Sequence, residues 1–171
     1  MFPRMPIALM TLMIIGLLVL PAGAADLDTF ALLDIVEGIT ITETTALNFG
    51  DVALNNGTLT VDTDGTTTDP NFLSFDPTNV SQGIFTIAAI AGSAYDITLL
   101  ENVPVAGLTL DNFRINIDGA ADEAGTDTFV AVVLANASST LNVGADLVVD
   151  STTASLGDGQ VIGYRITVNF N

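Results

Sequence analysis

Apolar residues in this chain recur at every second position, and beyond the first twenty-odd residues no stretch keeps the three-and-four spacing of a helix face, so strands are what it can build. Gly38-Ile39-Thr40-Ile41-Thr42 is the first clean alternation, and Leu47, Phe49 and Val52 extend its inward set. Asn55-Asn56-Gly57 reads as a tight turn, because Asn and Gly accept positive φ, and with Leu59 and Val61 beyond it the segment is expected to form a hairpin. Residues 62–83 carry Asp, Thr, Pro and Gly punctuation and are expected to form a loop with one packed island, Phe72-Leu73-Ser74-Phe75. Ile84 to Ile90 is apolar on both faces, as a central strand would be, and Gly92-Ser93 is expected to turn it into a second hairpin with Tyr95-Asp96-Ile97-Thr98-Leu99. Leu108 to Ile117, Thr128 to Leu134, Leu147 to Val149 and Ile162 to Phe170 supply further strands. About eight or nine short strands at this spacing predict an all-β fold, an antiparallel β-sandwich of Greek-key type.

The start of the chain obeys a different rule. Arg4, an apolar run from Ile7 to Leu20 and then Pro21-Ala22-Gly23-Ala24 have the layout of a secretory leader with an Ala-x-Ala cleavage site. The run falls short of the roughly 20 residues that span a bilayer. Residues 1–24 are therefore expected to be removed, leaving residues 25–171 as one domain with no stable membrane insertion. Periplasm, cell surface or extracellular space is the expected location. The chain has no cysteine, so a disulfide framework does not accompany export and the core must supply the stability.

Loss of Arg4 takes the formal charge from −17 to −18, with Arg114 and Arg165 the remaining side-chain cations against twenty acids. Such a surface repels phosphate backbones, and nucleic acid is not an expected partner. His, Cys, Lys and Trp are all absent, which removes the usual neutral-pH base, thiol nucleophiles, Schiff-base lysines and soft metal sites together. Carboxylate-pair glycoside chemistry survives on paper, but it needs two opposed acids in a cleft, and no Trp is present to stack a sugar. A non-enzyme without a resident cofactor is expected.

Two places stand out as candidate sites. Asp62-Thr63-Asp64-Gly65 followed by Asp69 has the carboxylate spacing and glycine turn with which hard oxygens gather around calcium, so weak calcium binding at Asp62, Asp64 and Asp69 is one reading. The segment lacks the full twelve-residue spacing and the closing Glu of a complete calcium loop, and the plainer reading is an acidic hairpin connection. A second acidic cluster, Asp118, Asp122, Glu123 and Asp127, matches no metal spacing. At the end of the chain Tyr164, Ile166, Val168 and Phe170 share one strand face, either as a terminal core strand or as an assembly strand.

Ile39-Thr-Ile-Thr-Glu-Thr-Thr-Ala-Leu-Asn-Phe-Gly50 and the closing Gly163-Tyr-Arg-Ile-Thr-Val-Asn-Phe170 resemble the boxes of a bacterial family of secreted β proteins of unknown function. Phe85-Thr86-Ile87 to Tyr95-Asp96-Ile97-Thr98-Leu99 and Val143-Gly144-Ala145-Asp146-Leu147 resemble its two middle boxes, in the same order, with Ala145 in place of a common glycine. The ends are also similar, more distantly, to spore-coat-U and chaperone–usher pilin-like domains, whose closing strand carries a penultimate aromatic, here Phe170. Those families imply an Ig-like fold and fibre subunits.

Two functions follow as expectations. One is a surface structural protein, pilin-like or fimbrial, that self-associates or joins other surface proteins by strand addition, with Phe30 to Val36 as a donor segment. The other is a monomeric binding module whose acidic loops take a glycan, calcium or a surface protein.

Overall fold

The structure is a computed structural model. It describes residues 38–171 apart from residues 72, 126, 156, 158 and 159, and for residues 74–78 it describes the backbone alone. The expected leader, residues 1–24, and the expected donor segment, residues 30–36, lie outside the described residues.

The fold is an all-β antiparallel sandwich. Twelve strands appear among the described residues: β1 (Thr40–Thr45), β2 (Asn48–Val52), β3 (Gly57–Val61), β4 (Thr67–Thr68), β5 (Ser74–Ser81), β6 (Gly83–Ala88), β7 (Ala94–Val103), β8 (Leu108–Ile117), β9 (Glu123–Ala124), β10 (Thr128–Val133), β11 (Ser138–Val149) and β12 (Gly163–Phe170). Seven form the large sheet, β10-β7-β12 form a small one, and β2-β5 form a two-stranded ribbon.

β11 organises the large sheet. Along one edge it pairs first with β6, Ser138↔Ala88 to Val143↔Gly83, and then with β3, Ala145↔Val61 to Val149↔Gly57. Along the other edge it pairs with β8 from Leu141↔Ile117 to Val149↔Leu108. Gly144 stands at the change from β6 to β3, where a Cβ would come within 2.5 Å of the Val61 carbonyl oxygen, so only glycine lets β3 approach this closely. The β8 pairing skips a residue between Gly144↔Arg114 and Asp146↔Asp111, and Asn112 in the extra position has φ 46°. That is a β-bulge, and Asn tolerates the left-handed backbone it requires.

Alternation sorts side chains as the period predicts. Leu141, Val143, Ala145, Leu147 and Val149 of β11 face inward with Leu59, Val61, Phe85, Ile87, Phe113 and Ile115, against Tyr95, Ile97, Leu99, Phe129 and Val132 of the small sheet, all buried. Each larger aliphatic or aromatic side chain buried in this way stabilises the fold by roughly 1.5–3 kcal/mol.

Neither expected hairpin forms. The turn Asn55-Asn56-Gly57 joins β2, which pairs with β5, to β3, which pairs with β11 and β4. β1·β6 and β2·β5 are successive stretches of one antiparallel course, from Thr40↔Ala88 through Asn48↔Ser81 to Val52↔Ser74, with register shifts after Glu43, Phe49 and Asp51. Gly92-Ser93 likewise joins β6 in the large sheet to β7 in the small one. Gly92 has φ 76°, and the Tyr95 hydroxyl accepts from the Ile90 N–H at 2.9 Å and donates to the Ile90 carbonyl at 3.1 Å, tying down this crossing. Local turn chemistry marks where the chain reverses; which sheet it enters is decided by burial of its apolar face. β5 corrects the expected loop as well. Its Pro77 discourages a strand reading, yet proline is tolerated on a strand with one partner, and β5 pairs with β2 alone among the described strands.

No helix among the described residues is long and apolar enough to cross a membrane.

Candidate functional site

The two acidic loops that lie far apart in sequence meet on the outer face of the large sheet. Asp62 to Thr66 is the turn of the β3–β4 hairpin, closed by Asp62 N–H donating to the Thr66 carbonyl at 2.8 Å and Gly65 N–H donating to the Asp62 carbonyl at 3.0 Å, with Gly65 at φ 79°. The carboxylates serve the turn: Asp62 Oδ1 accepts the Thr63 N–H at 2.9 Å, and Asp64 Oδ1 accepts the Thr66 N–H and hydroxyl at 2.8 and 2.6 Å. The Thr66 hydroxyl and amide hold the Asp64 carboxyl below its ordinary range. Asp69 Oδ1 accepts the Leu73 N–H at 2.8 Å, in the connection to β5. Asp62, Asp64 and Asp69 thus act as turn acceptors, and no group of three or more acidic side chains placed to hold a metal exists among the described residues.

The second loop, between β8 and β9, folds back on the first. Asp122 Oδ1 accepts the buried Thr63 hydroxyl at 2.7 Å and the Asn116 amide at 2.9 Å. Asn116 also donates to the Ala120 carbonyl and accepts the Gly119 N–H at 2.9 Å. Asp118, at φ 50°, accepts the Thr140 N–H at 2.7 Å and the Asn136 amide at 3.1 Å. The Thr140 N–H outweighs partial burial and holds the Asp118 carboxyl low. Between the loops lies an open cleft of about 480 Å³, floored by Asn116 and Asn142 on adjacent strands and walled by Thr63, Asp64, Gln82 and Gly119 to Asp122.

Further along the same face lies a charge network that sequence reading misses. Asp146 is 7% exposed; its Oδ1 accepts the Thr60 hydroxyl at 2.7 Å and Arg114 Nη1 at 2.9 Å, and its Oδ2 accepts the Asn112 amide at 2.9 Å. Burial by itself raises this carboxyl. The hydrogen bonds from Arg114, Thr60 and Asn112, with the Arg114 charge, outweigh burial and bring it below its ordinary 3.8. The sequence carries one signal for it: Arg114, one of only three cations in the full sequence, stands between the apolar Phe113 and Ile115.

β12, the expected assembly strand, pairs with β7 of its own chain from Gly163↔Val103 to Phe170↔Tyr95. Tyr164, Ile166 and Val168 are half-buried against the core, whereas Phe170, at the strand end, is 62% exposed with its ring edge-on to Tyr95 at 5.5 Å. Tyr164 reaches furthest in, between Phe85 and Phe113 at 6.4 and 5.8 Å. Its hydroxyl is buried with no hydrogen-bond partner among the described residues, and burial, with Glu43 nearby, pushes its pKa up.

The two edges of the small sheet, as the described strands form it, differ. β10 is interrupted by a bulge between Phe129 and Val132, with Ala131 at φ 55° and its N–H donating to Asp96 Oδ1 at 3.0 Å. β12 runs from Tyr164 to Phe170 in unbroken register and pairs with β7 alone among the described strands. On the large sheet, Ile41 and Glu43 of β1, opposite the buried Ile87 and Phe85, are themselves exposed.

No curated protein and no solved structure matches this chain. One protein family does, over residues 39–170, which takes in every strand from β1 to β12. The chain belongs to the family described as Domain of unknown function (DUF4402).

Proposed function

We propose that this protein is an exported, non-catalytic structural protein of the bacterial surface or extracellular space, which assembles by adding a strand of a neighbouring copy to the free edge of β12. One observation carries this reading: β12 keeps an unbroken register from Tyr164 to Phe170 and pairs on one side only among the described strands. Edge strands are usually blunted by bulges, prolines or lysines, as β10 is by its bulge, because an open row of N–H and C=O groups invites pairing. β12 contains no Pro or Lys and no bulge after Tyr164. A strand placed there extends the small sheet. Residues 30–36, Phe-Ala-Leu-Leu-Asp-Ile-Val, supply an apolar candidate for the added strand. The leader-like residues 1–24 and the likeness of both chain ends to pilin-like and spore-coat domains support the same reading.

Size-exclusion chromatography and electron microscopy of residues 25–171, beside a version lacking residues 30–36, test it. Oligomers or fibres from the first and monomers from the second are expected. A monomer from residues 25–171 at every concentration overturns the proposal.

The meeting of two acidic loops in one cleft favours a second reading, a binding module that takes its ligand there.

A further inference from the structure

We infer that the cleft between the β3–β4 turn and the β8–β9 loop binds a neutral, polyhydroxylated ligand, a carbohydrate of one or two sugar units. The inference rests on the binding-module reading and names its ligand class; it does not depend on strand addition. About 480 Å³ is within the ordinary range for small-molecule sites and suits a ligand of this size.

The chemistry of the lining selects the class. Gln82 and Asn142 bring side-chain amides to the cleft that make no hydrogen bond to other described residues. Each offers donors and an acceptor together, which is what a hydroxyl needs, since a hydroxyl both donates and accepts. Asp64 and Asp122 use Oδ1 within the loops, and their Oδ2 atoms take part in none of those bonds. The Thr63–Asp122–Asn116 bonds fix one carboxylate before any ligand arrives, which lowers the ordering cost of binding.

The same lining argues against other classes. It holds two carboxylates and no cation, and Arg114 is spent on Asp146, so an anion is repelled. A metal ion lacks a third carboxylate there. An apolar ligand finds only Ala120 and Ala121, enough for the C–H face of a sugar and little else. With no aromatic ring in the lining, affinity at one site is weak.

Saturation-transfer NMR on residues 25–171, with glucose-, galactose-, mannose- and N-acetylglucosamine-terminated oligosaccharides at millimolar concentration, tests this. A lysine-rich peptide in the same experiment and calcium chloride followed by titration calorimetry form the comparison arms. At least one sugar series is expected to receive saturation, with affinity falling about tenfold or more in Asn142→Ala and in Gln82→Ala. Neither substitution removes a hydrogen bond between described residues, so melting temperatures report whether the fold is intact, and Asn169→Ala on the far sheet serves as the control. Peptide or calcium binding that responds to Asn142→Ala, without sugar binding, overturns the carbohydrate assignment and keeps the binding module. No sugar, peptide or calcium response sensitive to either substitution overturns both.

Discussion

Asp146 carries more of the fold than any other charged residue described, because its three partners come from two different strands on either side of β11. Thr60 lies on β3, and Asn112 and Arg114 lie on β8. Asp146→Asn leaves Arg114 without its counter-ion in a nearly closed site and should cost roughly 2–4 kcal/mol in urea unfolding. Arg114→Met with Asp146→Leu together should cost less than the two single changes summed, since the double change, unlike either single one, leaves no charge unpaired. The folded-state pKa of Asp146 lies below its ordinary 3.8, so the folded protein binds this proton less readily than the unfolded chain does. Its contribution is therefore complete above that value and is lost as pH falls through it toward the lower folded pKa. Unfolding free energies between pH 7 and pH 3 should fall steeply below about pH 4 in the wild type and less steeply in Asp146→Asn.

At the scale of elements, β12 gives the sharpest test of the alternation. Ile166→Ala, which empties a half-buried position, should cost about 1.5–3 kcal/mol; Phe170→Ala, which loses mainly the edge-on contact with Tyr95, should cost about 1 kcal/mol; and Thr167→Ala should cost less than either. Equilibrium urea unfolding ranks the three, and equal losses at Thr167 and Ile166 would refute the assigned face. The sequence showed where β12 runs, since its alternation is uninterrupted, and where β8 and β10 run, although a bulge shifts the alternation of each. It concealed β5 behind Pro77, and it reduced β11 to its last three residues because Asn142, Gly144 and Asp146 on the outer face interrupt the apolar signal. Partnering was not legible at all: a turn signal is local, whereas the choice of sheet depends on residues 50 to 90 positions away, as in Val61↔Ala145. The candidate cleft was half legible. Both acidic loops stood out, but the Thr63–Asp122 bond that joins them follows from topology, and Gln82, Asn116 and Asn142 carry no motif.

For the whole molecule, charge is the dominant environmental variable. A formal charge of −17, with three side-chain cations in the full sequence, repels itself at neutral pH and destabilises the compact state. Raising sodium chloride from about 10 to about 150 mM shortens the screening length from about 30 to about 8 Å, and the melting temperature should rise. Calcium chloride at matched ionic strength discriminates the remaining possibility at Asp62, Asp64 and Asp69. An equal rise means screening alone, and an extra rise abolished by Asp64→Asn means a specific ion.

The position of β11 in the chain also sets the order of events in time. It is the shared partner of β3, β6 and β8, yet it begins only at residue 138, after every strand it joins has been made. The earlier strands have no large sheet to enter until it arrives, and non-local pairing of this kind is slow, on the order of milliseconds to seconds. Stopped-flow refolding should show that timescale, and chains ending before residue 138 should remain unfolded. On the proposed exported role, such a delay would keep the strands made before residue 138 threadable while they wait for β11.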